Sequence, residues 1–458
     1  MFESRFTLLL IVPLAIAAAP ARAQVGLPSV QLPNLPVLDT QPLNRTVNGV
    51  LDQADPQRLR ELRQVRIRSL LRTHRTVLET DPRGAPIVRN EVVALSPTQE
   101  ALDQARAAGF GIGRTRTLEG LDVTIVVLQA PEGMSTRRAL ERLRQADPEG
   151  TYDYNHIYLD SGEVAAAPPP PDQDIGSSAA ASASEASPLR AGEGTSQNFV
   201  AAAGIKVGLI DGGVQRTHPV FTGVTIHEHG CTGGNIPSPH GTAVASLLVG
   251  QGTDFHGAAP GAQLYSADVY CDLAAGGAVD LVAEALAWMA REKVPVINIS
   301  LVGPANTLLE RIVKVVIKKG HIVVAAVGND GPSSPPLYPA AYPNVIAVTG
   351  VDARRRVLVE ACRGDHVDFS APGSNMSAAG IETPFARVRG TSFASPIVAG
   401  LLARNIVTPG KEQAESAVAT LLAQATDLGA RGIDKVYGNG LVGDDLRMSE
   451  KLAAAPRQ

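Results

Sequence analysis

Four residues spread over 211–392 have side chains that together suffice for acyl transfer: Asp211, His240, Asn329 and Ser392. Asp211 follows the apolar run Val207-Gly208-Leu209-Ile210 and precedes Gly212-Gly213. A carboxylate there stands at the carboxyl edge of a buried strand, where glycines let the chain turn sharply. By itself it could equally cap that turn. His240 opens His240-Gly241-Thr242-Ala243-Val244-Ala245-Ser246, a helix start built of small residues. The helix dipole disfavours the imidazolium at such a place, so a neutral ring there can accept a proton. A capping or core histidine is the plainer alternative. Asn329 lies in Val327-Gly328-Asn329-Asp330-Gly331, after another buried run. Its amide could donate to an oxyanion, or simply tolerate a left-handed turn. Ser392 lies in Gly390-Thr391-Ser392-Phe393-Ala394-Ser395-Pro396, at the start of a helix of small residues. Free N–H groups and the positive dipole end stabilise developing negative charge there. A lone serine at that position would be an N-cap.

Taken together the types are a nucleophile, a base, an orienting acid and an oxyanion donor. They can act only if one scaffold brings strand ends and helix starts to a single edge. Residues 205–210, 263–269, 294–300, 321–327 and 345–349 are near-continuous β-rich runs, the pattern of strands buried on both faces. Residues 242–250, 279–291, 308–319, 393–405 and 412–425 suit helices. This alternation predicts an α/β fold, a doubly wound and mainly parallel sheet with its site at the carboxyl ends of the strands.

The order Asp, His, Ser, carried by segments 207–219, 240–250, 327–331 and 390–400, resembles the subtilisin-like (subtilase) serine peptidases. Segments 257–260, 298–301, 367–373 and 437–442 are similar to connecting segments of that family, so the likeness covers 204–446. The resemblance implies an exported endopeptidase acting on protein or peptide substrates. Ser392 would attack a peptide carbonyl, with His240 relaying the proton and Asp211 holding the imidazole tautomer. Asn329 and the Ser392 backbone N–H would bind the oxyanion. Ser300, Leu301, Val302 and Gly303 would form a cleft wall that pairs with substrate as an added strand. No cofactor is required for that chemistry. Calcium is common in the family, but no acidic loop here has calcium spacing, and no metal ligand set is assigned.

Upstream, residues 90–160 read as a small unit of order βαββαβ, the order of a ferredoxin-like fold. Strand candidates are 91–95, 113–117, 123–128 and 152–159, with helices at 97–108 and 135–145. The resemblance implies a propeptide that acts as intramolecular inhibitor until cleaved, with 152–159 leading its tail into the active site. Residues 1–23 have the form of a signal peptide, ending in Ala21-Arg22-Ala23. Residues 24–89 begin without periodicity and continue, from Pro56, as a helix studded with arginines. That helix reads as a solvated face, with contact to anionic lipid or an acidic partner as the alternative. Residues 161–198 are an Ala/Pro/Ser linker, 199–446 the peptidase-like domain and 447–458 a tail. No later run is long and apolar enough for a stable membrane span, so a periplasmic or extracellular location is expected. A net charge of −4 and 4% aromatics argue against nucleic acid as a partner.

Three features depart from the family pattern. Gly212 stands where Ser or Thr usually follows the aspartate, so a hydrogen bond near the orienter is expected to be missing. Val302 stands where the cleft wall usually has glycine, which predicts a pocket for small or medium residues before the scissile bond. The run His227-Glu228-His229-Gly230-Cys231 has metal-like types, yet is expected to be an exposed loop. Cys231 and Cys271 both follow strand ends and could pair, leaving Cys362 free. Two other functions are weighed. A catalytically inactive binding or scaffold protein would lack reactivity at Ser392. An esterase would be expected to carry a Gly-x-Ser-x-Gly elbow, which does not surround Ser392.

Overall fold

The computed structural model describes residues 56–165, 204–231 and 234–454. The expected signal peptide, the stretch 24–55 and all of the expected linker beyond residue 165 lie outside the described residues.

The chain begins with α1 (Pro56–Thr73), β1 (Leu78–Thr80), β2 (Pro86–Leu95), α2 (Gln99–Ala107), β3 (Gly111–Leu118), β4 (Val123–Gln129), α3 (Thr136–Ala146) and β5 (Thr151–His156). Thr98 and Ser135 cap α2 and α3, their side-chain oxygens accepting from the N–H groups of Ala101 and Arg138. The antiparallel strands run β5-β2-β4-β3, and β1 adds to the first half of β2. The unit therefore starts well ahead of residue 90. The basic helix stops at Thr73 because Val77 and Leu78 turn inward, Leu78 pairing with Val88.

Alternation along β2 and β4 explains why this unit does not stand alone. Val92, Ala94, Val126 and Leu128 pack on α2 and α3, while Val93, Ile125 and Val127 face the larger domain. The continuous apolar run in β4 thus has a covered face on each side.

Two short strands follow, β6 (Leu159–Asp160) and β7 (Glu163–Ala165), and neither joins the small sheet. Strand β6 is the end of the expected small unit, and β7 lies at the head of the stretch expected to be linker. The larger domain then runs β8 (Lys206–Asp211), β9 (Ile226–His229), α4 (Pro239–Val249), β10 (Gln263–Asp268), α5 (Val279–Arg291), β11 (Val296–Ile299), β12 (Leu301–Val302), α6 (Thr307–Lys318), β13 (Ile322–Ala326), β14 (Ile346–Val351), β15 (Phe369–Pro372), β16 (Met376–Ala379), β17 (Phe385–Arg389), α7 (Thr391–Ala403) and α8 (Lys411–Leu422). Seven strands form a parallel sheet in the order β15-β14-β13-β11-β8-β10-β9. Successive strands leave β8 in opposite directions, so the sheet has its switch point beside β8. Helices α4 and α7 cover the Val207–Leu209 face, and α5 and α6 the Ile210–Ile297 face. The fold is the doubly wound α/β class expected from the sequence.

The run expected to be an exposed loop is so only in part: residues 227–229 lie in edge strand β9, with His227 and Glu228 exposed, and Gly230 and Cys231 follow it outside any element. The rings of His227 and His229 stack on Tyr265 and Trp288 at 4.4 and 4.8 Å. Cys231 is bonded to Cys271, and Cys362 is free and buried.

The two domains share a polar cluster in which Glu91, Asn155 and Asp280 are buried beneath an exposed Arg114. Arg114 donates two hydrogen bonds to Glu91, at 2.9 and 2.8 Å, and also reaches Asp280 at 3.2 Å. Asn155 Nδ2 donates to Glu91 at 2.8 Å and to Asp280 at 3.0 Å. Asp280, in the first turn of α5, is fully buried. Removing it leaves the Arg114 and Asn155 donors without that acceptor at the domain boundary. In an uncleaved Ser392→Ala background, Asp280→Ala should destabilise the docked small unit by about 2 kcal/mol. Urea unfolding, followed at a probe placed in β3, measures this; an unchanged midpoint would contradict it.

Candidate active site

Asp211 is the last residue of β8, at the carboxyl edge of the sheet's switch point, and is fully buried. The N–H of Gly212 donates to its Oδ1 at 2.7 Å. His240 is the second residue of α4, after Pro239 at the favoured first position. Ser238 caps that helix, its Oγ accepting from the Gly241 N–H at 2.9 Å.

The strand end and the helix start touch backbone to backbone. A Cβ on Gly241 would collide with the Gly212 carbonyl, and one on Gly212 with Ser238 Oγ. Glycine at 212 is therefore a steric requirement of this packing. Asp211 thus accepts from the Gly212 backbone N–H without any side chain at 212, and the Ser238 cap fills the space a side chain there would take.

This contact brings His240 Nδ1 within 2.9 and 3.0 Å of the two Asp211 oxygens. An ionised carboxylate only accepts, so Nδ1 carries the hydrogen and Nε2 presents its lone pair. Nε2 is buried and has no hydrogen-bond partner among the described residues. Burial by itself pushes the His240 pKa down, but the charge and hydrogen bond of Asp211, with Asp160 beyond, outweigh it and raise it.

Ser392 lies in the first turn of α7 and is fully buried. Its Oγ donates to the Ser300 carbonyl at 3.2 Å, and Ser300 Oγ donates to the Ser392 carbonyl at 3.1 Å. Ser300 Oγ is also 3.0 Å from Ser395 Oγ, so this end of β11 is fastened to α7. Asn329 accepts from the Thr391 N–H through Oδ1 at 3.1 Å, which leaves Nδ2 to face the cleft. A Cβ built on Gly390 would lie 2.8 Å from Asn329 Nδ2 and 3.1 Å from the carbonyl oxygen of Ser161. The amide and that carbonyl thus share one small space beside the serine.

Leu301 and Val302 form β12 along the cleft, both buried, and Gly303 exchanges two backbone hydrogen bonds with Tyr338 at 2.9 and 3.0 Å. Asp211, His240, Asn329, Ser392 and the 300–303 wall therefore converge on one region. The tail that follows 152–159 is expected from the sequence to enter this region, but the residues that fill it are not singled out there. Ser161 Oγ lies 2.6 Å from Ser392 Oγ. A Cβ on Gly162 would lie 3.1 Å from His240 Nε2 and 2.5 Å from the Phe393 ring. The expected strand 152–159 divides into β5 and β6, and the residues in question directly follow β6.

Chemically, the arrangement offers a nucleophilic hydroxyl, an imidazole oriented with Nε2 unpartnered, and an amide donor in the space beside a carbonyl oxygen.

Residues 202–440 match the model of the subtilase family. Thermitase of Thermoactinomyces vulgaris is 32% identical over 206 residues, 43% of this chain and 73% of that relative. Subtilisin DY of Bacillus licheniformis is 32% identical over 251 residues, 52% of this chain and 89% of the relative. The minor extracellular protease Epr of Bacillus subtilis is 30% identical over 225 residues, 48% of this chain, and the match spans only 34% of that relative's length. Among solved structures, fervidolysin of Fervidobacterium pennivorans, a keratinolytic enzyme related to subtilisin, superposes with a TM-score of 0.63 at 20% identity, over 83% of this chain and 62% of that one. That likeness speaks to the fold.

The Asp211–His240 pair has a pH signature. A base must be neutral to act, and a raised pKa keeps it protonated to higher pH. The acid limb of kcat/KM toward an acyl substrate should therefore lie above the ordinary imidazole value of about 6.5. Asp211→Asn should move that limb to lower pH and reduce kcat by about 10⁴-fold. An unmoved limb in that variant would mean that another group sets the profile.

Proposed function

The chain belongs to the subtilase family, and from that premise we propose that it is an exported serine endopeptidase, made as a zymogen and processed by its own active site. Ser392 Oγ attacks the substrate carbonyl carbon while His240 Nε2 takes its proton. Asn329 Nδ2 and the Ser392 N–H hold the oxyanion, and the His240 proton then passes to the leaving amine. Water repeats the cycle on the acyl-enzyme. Asp211 keeps the Nδ1–H tautomer throughout and stabilises the transient imidazolium. The observation that carries this reading is the buried Asp211–His240 hydrogen bond, which leaves Nε2 unpartnered beside the Ser392 pocket.

Substrate peptides bind as a strand along Leu301–Val302. Export is supported by the form of residues 1–23 and by the Cys231–Cys271 bridge, which suits an oxidising compartment. The small unit is the propeptide, and the apolar face of its sheet explains why it stays on the peptidase domain before processing.

A fluorophosphonate probe should label the processed protein at Ser392, and Ser392→Ala should abolish labelling and lower kcat by about 10⁶-fold, the magnitude known for subtilisin. Peptide amides should be cleaved as well as esters. Absence of labelling in a folded, processed protein would overturn the reading. In a peptide library, residues preceding the cut should be small or medium-sized, because Val302 lines the wall; a profile dominated by large aromatics would contradict that role.

A further inference from the structure

We propose that the first bond this enzyme cuts is its own Ser161–Gly162 bond, and that arginines of α1 clamp that bond into the cleft. The inference rests on the proposed peptidase activity and specifies its first substrate.

The register of the chain through the cleft is the starting point. Strand β6 pairs antiparallel with β12, Leu159 opposite Val302 and Asp160 opposite Leu301. One residue further, Ser161 falls opposite Ser300, with its Oγ 2.6 Å from Ser392 Oγ. Its carbonyl oxygen shares the space beside Gly390 with Asn329 Nδ2. Gly162 sits against His240 Nε2, on the side where a leaving nitrogen needs a proton. Beyond it, β7 pairs antiparallel with β17, Glu163 opposite Arg389 and Val164 opposite Val388. The chain is thus held as a strand on both sides of the Ser161–Gly162 junction. Gly162 also has no space for a side chain, because Phe393 and His240 close over it.

Two anchors prevent slippage. Tyr158 is fully buried, with its Oη donating to the Pro304 carbonyl at 2.7 Å and its N–H to the Gly277 carbonyl at 2.8 Å. Moving the strand by one residue would pull that ring from its pocket.

The second anchor comes from α1. Arg66 forms an ion pair with the Asp160 carboxylate and donates to the Asp160 carbonyl at 3.1 Å. Arg63, one turn earlier on the same face, pairs with Asp330 at 3.1 Å, the residue after Asn329. Ile67, Leu70 and Leu71 pack around Leu78, Val88, Ile157 and Leu159. The helix expected to be solvated therefore spans the cleft, with one arginine on the strand to be cut and another on the oxyanion loop.

The step balances without any co-reactant but water. Ser392 Oγ bonds to the Ser161 carbonyl carbon and its proton passes to His240 Nε2. The bond from that carbon to the Gly162 nitrogen breaks as His240 protonates the amine. Water then hydrolyses the ester, leaving a Ser161 carboxylate and restoring the Ser392 hydroxyl. Arg66 touches no reacting atom and is a positioning residue.

The test uses the full-length chain. Intact mass at early times should give a fragment that ends at Ser161 and another that begins at Gly162, both absent in Ser392→Ala. A small-unit fragment ending at any other residue would overturn the assignment. Arg66→Glu should slow formation of these fragments about tenfold, and Arg66→Glu with Asp160→Arg should return the rate to within about threefold of wild type. Equal rates in all three would refute the clamp. So would a failure of the double variant to recover, once thermal unfolding shows it folded. If Arg66→Glu does not fold, Asp160→Asn provides the same comparison and should also slow cleavage. Peptide hydrolysis by the processed enzyme should be unchanged by Arg66→Glu, since α1 departs with the small unit. Loss of both peptide hydrolysis and fluorophosphonate labelling in wild type would refute the peptidase reading itself. Hydrolysis with a fragment ending elsewhere would refute only this assignment.

Discussion

The hydrogen bond between His240 and Asp211 sets the terms for much of the structure around it. It joins two fully enclosed polar groups, and a buried carboxylate is tolerable only while its partners hold. The end of β8 and the start of α4 must therefore stay in register to within a fraction of an ångström. That demand explains the glycines at 212 and 241, where the two backbones touch, and the Ser238 cap that fixes the first turn of the helix. It also explains the packing of small residues along α4, which lets the helix lie close over β8. The same bond decides which nitrogen of His240 is free, and so what chemistry the serine beside it can do.

The scaffold was legible in the sequence because its signals are long. Strands buried on both faces read as continuous β-rich runs, and residues 279–291 were bounded as a helix at both ends as the structure has them. The four chemical residues were legible as types at strand ends and helix starts. Elements without such signals escaped. Strand β9 contains no β-branched residue after Ile226, and its histidines, one exposed and one half-buried, stack their rings on Tyr265 and Trp288. The β16–β17 hairpin includes Met-Ser-Ala-Ala, which carries no strand preference of its own and is placed by α4 and by β7. At Gly212 the sequence suggested a lost hydrogen bond, but only coordinates reveal that a helix cap occupies the same space.

The small unit is the harder case, because its key residues are interpretable only against a partner surface. Arg63 and Arg66 look like any other arginines on a polar helix until Asp330 and Asp160 are placed beside them. Val93, Ile125 and Val127 complete a core that belongs to the other domain. Composition could show that these positions must be covered. It could not show by what, since the covering helices lie over a hundred residues away in the chain and reach them only through the tertiary fold.

On the proposed self-cleavage, one segment would be substrate first and inhibitor afterwards, and these contacts bear on how. Arg66, Tyr158 and the β6–β12 pairing hold the acyl side of the Ser161–Gly162 bond, and none of them is broken when that bond is cut. The leaving side is held differently. Glu163 is partly buried near Glu360, and desolvation followed by that repulsion pushes its carboxyl up to about 7, partly offset by Arg389. A free carboxylate titrates near 4.3, so docking of β7 binds a proton and weakens as pH rises from that value toward 7. At neutral pH the new amino-terminal side is therefore the one that loosens, while the acyl side keeps its anchors. A hydrolase with this asymmetry would stay occupied by its own product until the small unit as a whole is dislodged, so cutting the bond and opening the cleft become separate events.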